Sequence, residues 1–542
     1  MTRPMARRAE LEVAIARARP GAMERLLARV SPAFALRRFE ARTRFELAAI
    51  AGGQRSYDAN DRGRRTKGWN TPQTSANSET YGRLGLLRAR CRDLVRNGGW
   101  ARKAVSSIVN RVVGKGGVRP LLPDGPLKNA WKAWAQSREC DAHGRRTLRA
   151  TQRIVMRGIV EGGETIVQRV IPTAVRSRAA GIVPLRLRVL EADHLDDLFD
   201  DERLGSGRIV QGVEFDADGR RQAYHLLKNH PGDRMGRLEQ RLRVPANDVL
   251  HAFREDRAGQ VRGVPWGAPC VLTLRDFESF LDAELLRRKI AAAFVGFVHD
   301  ISAEPPNSTP SATGEATEQL VQDFEPGTWE ELPLGKNITF SDPPQPQGLA
   351  EYSTTVLRQI AAAYGVSYEE LTGDYSQVNF SSGRMGWLAY HAEVEDWQQD
   401  ILVDQLMNPI WSWFLDAAIL AGVPGAESAS HDPTWVLPGR AMVDPSKEIP
   451  GQIKAVRAGF TPLSHILLEQ GLDPEDALEQ AAKDLDYARK LGLTLDVDGT
   501  VTTAAGSAAR EDTDAAGGES KSKPPADAED DESEPPEDAD PA

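Results

Sequence analysis

Little in this chain invites covalent chemistry or a membrane. Its 542 residues include only three cysteines, Cys91, Cys140 and Cys270. They lie far apart and form no Cys-x-x-Cys pair, so they read as reduced, mostly buried thiols of a cytosolic protein rather than a disulfide framework or a zinc site. No apolar run approaches the roughly 18 residues that a spanning helix needs, so no membrane partner is expected. The Arg-rich residues 1–20 lack the apolar core of a secretory signal, and Glu10, Glu12 and Glu24 argue against an organelle transit peptide. A Gly-x-x-x-x-Gly-Lys-Ser/Thr phosphate loop is missing. Gly114-Lys115-Gly116-Gly117 and Gly335-Lys336 do not fit it, and His-Glu-x-x-His does not occur. Neither a cofactor nor a metal site is expected.

What is abundant is charge, and it is unevenly placed. The net charge of -10 combines an N-terminal stretch and an acidic remainder. Residues 1–150 hold 32 Lys/Arg against 12 Asp/Glu, and residues 151–542 hold 36 against 66. Residues 511–542 alone carry 13 acidic side chains, two lysines and several prolines. Such a segment buries too little apolar surface to order itself, and 505–542 are expected to be disordered. A basic stretch is either a solvated surface or a contact for an acidic neighbour, nucleic acid or another subunit.

A chain this long suggests two to four folded units. Residues 1–50 are helix-prone and 51–80 read as a polar linker. From Tyr81 one helix is expected through Leu84, Leu87, Leu94 and Trp100 to Val112, and another over 129–137 presents Trp131 and Trp134. Strands are expected at 185–190, 209–215 and 221–227, the last two joined by the turn at 216–219, and near Val249 to His251. A long helix over 268–298 and a second over 350–365 bracket a proline-rich insert, 299–348, with short strands at 331–334 and 338–340. Together they predict a helical hairpin tipped by the insert. Helices at 447–459, 462–470 and 474–490 close the folded part, with Asp444, Ser446, Thr461-Pro462 and Asp473-Pro474 as their start signals.

The densest set of catalytic residue types is Glu191, Asp193, His194, Asp196, Asp197, Asp200, Asp201 and Glu202. Hard cations take such oxygen ligands, but the spacing lacks the glycine and distal glutamate of a calcium loop. A solvated acidic turn is the plainer reading. A metal-dependent nuclease built on Asp193, Asp196 and Asp197 is one alternative function, and a DNA-binding protein using the basic first 150 residues is another. His225, His230 and His251 read as strand histidines with local hydrogen bonds, and Trp411, Trp413 and Phe414 as core anchors on one helix. No catalytic residues are assigned.

The most informative stretch is 356–387. A periodic helix through Leu357, Ile360, Ala361 and Tyr364 stops at Gly365, and a short turn over 367–371 ends at Gly373, where a left-handed cap is cheap. A polar loop over 374–383 follows, and then a long helix runs to about Leu420, interrupted near Pro409.

This stretch resembles the tunnel loop and flanking helices of phage portal proteins of the lambda type. Further stretches resemble the same family in its order: 87–97 with 113–116, Glu191 to Leu195, Gly212 to Asp216 with Ala223 to His225, 244–251, Gln260 to Trp266, Asp282 to Leu285, and 365–382. The resemblance implies an α+β portal fold. It has a β-rich wing (81–267), a stem hairpin (268–298 and 349–373) and a small α/β clip (299–348). A tunnel loop (374–383), a long helix behind it (384–421) and a helical crown (424–494) complete it. It implies a structural subunit, not an enzyme, of a ring of about twelve at one capsid vertex of the virion, assembled in the bacterial host cytoplasm. That ring would dock the terminase large subunit, major capsid and scaffold proteins and head-completion proteins, and pass double-stranded DNA during packaging and ejection. The channel-lining residues would be Asp374, Tyr375, Ser376, Gln377, Val378, Asn379, Phe380, Ser381 and Ser382. These include one acid and neither Lys nor Arg, as a conduit that must not grip phosphate requires. Arg384, just beyond, either caps the loop or faces the bore.

Overall fold

The structure, a computed structural model, describes Gly68 and residues 71–172, 183–203, 207–233, 241–292, 296–300, 336–340 and 348–493. The chain divides into two units, 1–75 and 76–542, and every element below belongs to the second. The expected helical arm, most of the linker, the strand at 331–334 and the acidic tail lie outside the described residues.

Helices come first. After a short α1 (Ala76–Thr80), α2 (Leu84–Asn97) and α3 (Gly99–Val113) replace the single helix expected over this stretch. The break is Gly98, whose extended backbone (φ -95, ψ 134) ends one helix and caps the next. Glycine gives up helical geometry at little loss, and Gly98-Gly99 doubles that weakness. Next come β1 (Arg119–Pro120), α4 (Pro126–Gln136) and α5 (Leu148–Gly162), whose N-cap Thr147 accepts from Ala150 N. Residues 81–162, nearly half of the stretch read as a β-rich wing, are therefore mostly helical.

Two antiparallel sheets follow. Strand β2 (Glu164–Val170) lies between β3 (Arg186–Glu191) and β9 (Val249–Phe253). A five-stranded meander joins β4 (Asp201–Arg203), β5 (Gly207–Val210), β6 (Val213–Phe215), β7 (Arg221–Leu227) and β8 (Arg241–Pro245) in chain order. The expected strand 209–215 is thus two strands. Gln211 with φ 48 and Gly212 with φ 84 turn the chain between them, and left-handed residues cannot continue a ladder. The turn at 216–219 forms as expected, with Gly219 N donating to Asp216 O. Ile166, Leu195, Val213, Tyr224, Leu226, Val249 and Val261 make a small core of their own beside the sheets.

Helix α6 (Val271–Ala292) ends earlier than the expected 298, and Gly296–Asp300 is instead strand β10, paired antiparallel with β11 (Lys336–Phe340). Strand pairing claims the β-branched and aromatic residues that periodicity had assigned to a helix end. Helix α7 (Leu349–Tyr364) packs against α6, with the Phe280 and Tyr352 rings 4.9 Å apart. After α8 (Tyr368–Thr372) comes one long rod: α9 (Phe380–Trp397), a π-helical stretch (Gln398–Met407) and α10 (Asn408–Ala421). The expected interruption near Pro409 is this widened stretch. Pro409 has no N–H to give and its ring crowds the preceding turn, and a π turn relieves that crowding without breaking the rod.

The main core gathers on this rod. Trp131 and Trp134 of α4 meet Trp411 and Phe414 of α10, with Trp131 5.3 Å from Trp411 and 4.9 Å from Phe414. All four rings are buried, and Trp413 is too, so the reading of these residues as core anchors holds. Finally β12 (Trp435–Val436) pairs with β1, and α11 (Pro445–Arg457), α12 (Leu463–Glu469) and α13 (Pro474–Lys490) follow. Asp473 caps α13 as expected, whereas the Asp444 side chain makes no cap bond and instead accepts from the Ser446 hydroxyl.

Candidate functional site

The loop after α8 is built by local chemistry at both ends. Helix α7 stops at Gly365 in the left-handed region (φ 71), with Val366 N returning to Ala361 O. The Ser367 hydroxyl then accepts from Glu370 N at 3.2 Å and starts α8. Gly373, φ 74, ends α8 with its N–H on Glu369 O. The Asp374 carboxylate accepts from Ser376 N at 3.0 Å, and the Thr372 hydroxyl accepts from Asp374 N. Hydrogen bonds from the Ser376 hydroxyl and backbone hold the Asp374 carboxyl below its ordinary range. Asn379 accepts from Ser382 N at 2.8 Å and caps α9.

The loop is therefore 374–379, shorter than expected. Phe380, Ser381 and Ser382 form the first turn of α9, because Asn379 is a strong cap and nothing after it breaks a helix until Gly383. From Asp374 to Ser382 all but Val378 are exposed, including Tyr375 and Phe380. Val378 folds back on Gly383. Arg384 does not cap the loop: its guanidinium reaches Glu448 of α11 at 3.8 Å.

Behind the loop, α8 is anchored to α3. Arg111 donates to Glu370 through Nε and Nη2 at 3.3 and 3.0 Å. That side-chain bond raises the Arg111 pKa above its ordinary value. Farther along the rod, Gln398 donates to Val112 O at 2.9 Å, and the Gln405 carbonyl accepts from Phe253 N at 3.0 Å. The π stretch thus sits in a fixed socket made by α3 and β9.

The acidic cluster is held by arginines. Asp193 accepts from Arg88 at 3.3 Å and Arg92 at 2.6 Å, Asp196 from Arg241 at 2.8 Å, and Asp197 lies 4.0 Å from Arg88. Asp200 accepts from Gln211 N. Burial would raise the Asp193 carboxyl, but Arg88 and Arg92 outweigh it and lower it. Glu191, Asp193 and His230 bring donor atoms within 4.8 Å of one another, as a metal would want. Arg92 Nη2 stands among them, 2.8 Å from Glu191 and 2.6 Å from Asp193. A guanidinium already fills the place of a cation, and the set does not fit a metal.

One feature had no sequence signal. Glu164 and Arg262 are fully buried and pair through Arg262 Nε at 2.9 and 3.0 Å, while His251 Nε2 lies 2.8 Å from Glu164. Arg262 also donates to the backbone of Gln211, Ala192 and Leu195, binding the two sheets' loops together. Burial would raise Glu164, yet Arg262 and His251 hold it far below its usual range, and burial lowers His251. His225 pairs with Glu214 at 3.0 Å, and His230 accepts from Gly232 N. His225 and His230 make the local bonds read from the sequence, whereas His251 bonds a residue 87 positions away. The cysteines are free and buried, and burial pushes the Cys91 and Cys140 thiols up to about 12 and Cys270 to about 11. They are inert thiols.

Residues 62–398 match the family described as "Phage portal protein, lambda family". A probable portal protein of Halomonas phage phiHAP-1 is 26% identical over 428 residues, covering 75% of this chain and 81% of that one. Portal protein B of Escherichia phage lambda is 21% identical over 510 residues, covering 83% and 91%. Among solved structures, a chain in the neck of an empty GTA particle, computed with C6 symmetry, is 16% identical and covers 73% of this chain and 97% of that one, with a TM-score of 0.42. Among the described residues no helix is long and apolar enough to cross a membrane.

Proposed function

Because the chain belongs to the lambda family of phage portal proteins, we propose that it works as one subunit of a ring of about twelve whose channel passes double-stranded DNA into and out of a capsid. The chain is a structural portal subunit. Residues 374–379, with the first turn of α9, line the narrow part of that channel. The carrying observation is the loop itself: exposed, braced at both ends by caps, and without a Lys or Arg from Asp374 to Ser382. Phosphate contacts would grip passing DNA, and small polar side chains do not.

Helices α6 and α7 make the stem, β10 and β11 the base of the clip, α9 to α10 the rod behind the channel, and α11 to α13 the crown. Exposed Leu272, Leu285 and Leu286 on α6 support stem contacts between copies, since a lone subunit would leave them in water. The clip faces the terminase large subunit during packaging and the head-completion proteins afterwards, and the wing faces capsid and scaffold proteins. A light-scattering mass of the purified chain tests the ring. About twelve times the 59.4 kDa subunit mass is expected, and a monomer across salt conditions at micromolar concentration overturns the reading.

A further inference from the structure

Helix α5 carries Arg149, Arg153 and Arg157 at successive four-residue steps, so the three guanidinium stems form a line with about 6 Å between neighbours. The neighbouring α3 runs antiparallel to it, for Arg149 donates to Gly114 O at 3.0 Å and Arg153 to Asn110 Oδ1 at 2.7 Å. Both acceptors are neutral, so these bonds orient the guanidiniums and leave their charge uncompensated. Only Arg157 has a carboxylate, Glu161 at 3.1 Å. Lys103, two turns before Asn110 on the same face of α3, and Lys115, just past its end, are exposed and have no carboxylate within 4 Å among the described residues. The acidic cluster near Asp193 already uses Arg88 and Arg92, whereas Arg149 and Arg153 of this line have no carboxylate partner among the described residues.

We propose that the line Arg149, Arg153, Arg157 is the docking site of the chain's own acidic segment, residues 511–540. Charge is complementary: the segment carries 13 Asp/Glu against two Lys. Spacing matches as well. Asp527, Glu529 and Asp531 alternate, as do Asp530, Glu532 and Glu534, so an extended segment offers carboxylates on one side every ~6.6 Å. Reach is sufficient. The start of α13 lies in the same neighbourhood as the line, because Lys128 holds Asp473 at 3.2 Å and Arg119 donates to Gly471 O at 2.8 Å, close to Gly117 and Arg149. Helix α13 leads the chain away by about 25 Å over its 17 residues. The 17 residues 494–510 can span about 55 Å when extended, enough to return.

Tethering gives the segment a high effective concentration at the line, so weak individual pairs suffice. Docked there, it covers a face that would otherwise attract duplex DNA through the same guanidiniums. Subunits made beside a genome would then not stick to it before assembly.

Zero-length carbodiimide cross-linking of the full chain, mapped by mass spectrometry, tests the contact. Lys103 and Lys115 are expected to couple to carboxylates between Glu511 and Asp540 at low salt. Those links should be lost at about 0.5 M salt, where screening is short-ranged, and in the Arg149→Gln/Arg153→Gln/Arg157→Gln variant. Links that persist in that variant, or a segment that couples evenly to lysines all over the chain, overturn the proposal. A second variant leaves the folded part untouched: Asp527→Asn, Glu529→Gln, Asp530→Asn, Asp531→Asn, Glu532→Gln and Glu534→Gln. It should bind random duplex DNA about 10-fold more tightly than the unaltered chain at low salt, and adding the three Arg→Gln changes should abolish that gain. Equal DNA binding by the unaltered and neutralised chains would mean that the face serves nucleic acid directly, and the proposal fails. These outcomes do not depend on ring formation, so they separate from failure of the portal reading.

Discussion

Val378 rests on Gly383: a Cβ added to Gly383 would come 2.8 Å from Val378 Cγ1. The one aliphatic side chain of the loop is thus seated on the one residue in the first turn of α9, Phe380 to Gly383, that has no side chain. This contact, with the Asn379 cap, folds the loop back onto its helix and gives it a shape of its own.

Gly383→Leu should therefore unseat the loop while leaving the rod intact. Overpacking costs about 1–3 kcal/mol in a closed core, and less is expected here because Val378 can move. Proteolysis should cut near 374–379 faster, with thermal stability nearly unchanged. Adding Val378→Ala should restore the slow rate. A Gly383→Leu chain that is cut no faster would show that the contact does not order the loop.

Gln377→Lys probes the conduit without touching a cap, unlike a change at Asn379. In a ring of about twelve it adds a circle of as many positive charges against DNA phosphates. Assembly should be normal, because Gln377 is exposed. DNA packaging should slow, most at low ionic strength, since phosphate attraction weakens as salt rises. Loss of the assembly itself would make this loop a contact between subunits and displace the channel assignment. Asn379→Ala, by contrast, should lower stability by about 1 kcal/mol and be recovered by Asn379→Asp or Asn379→Ser.

Acid should loosen the junction between the sheets. Glu164 is depressed in the fold, so its contribution is present above the unfolded carboxyl value of about 4.3 and is lost as pH falls below it. His251 is also lowered, so the fold favours the neutral ring and loses stability as pH drops below about 6.5. Both act in one direction. Melting temperature should be flat above about pH 7, decline from about 6.5, and fall steeply in the carboxylate range. His391 is lowered too, by burial and by the nearby Arg111 and Arg440, so His251→Gln should shrink the shallow upper limb, His251→Gln with His391→Gln should shrink it further, and the lower limb should stay. If the upper limb is unchanged, His251 is not its source.

Much of the candidate site was legible because its punctuation is local. The stops at Gly365 and Gly373 and the proline at the start of α13 act within four residues, and a sequence carries such signals directly; the Ser367 and Asn379 caps are as local but were not read. Even there, the loop's last residues were read as loop because a run of serines looks polar, while the cap made them helix.

The amino-acid sequence by itself determined where α7 and α8 stop, which tryptophans enter the core, and the polar, cation-free character of residues 374–382. Tertiary structure decided what depends on distant partners. Whether the carboxylates at 191–202 bind a metal turned on Arg88, Arg92 and Arg241, which lie about 100 or 45 residues away from them. The buried Glu164–Arg262 pair, the π stretch fitted between α3 and β9, and the strand at 296–300 were decided in the same way. A local pattern fixes backbone preference within a turn or two, but the environment of a charge, or the choice of strand over helix at a frayed end, is set by whatever the folded chain packs against it.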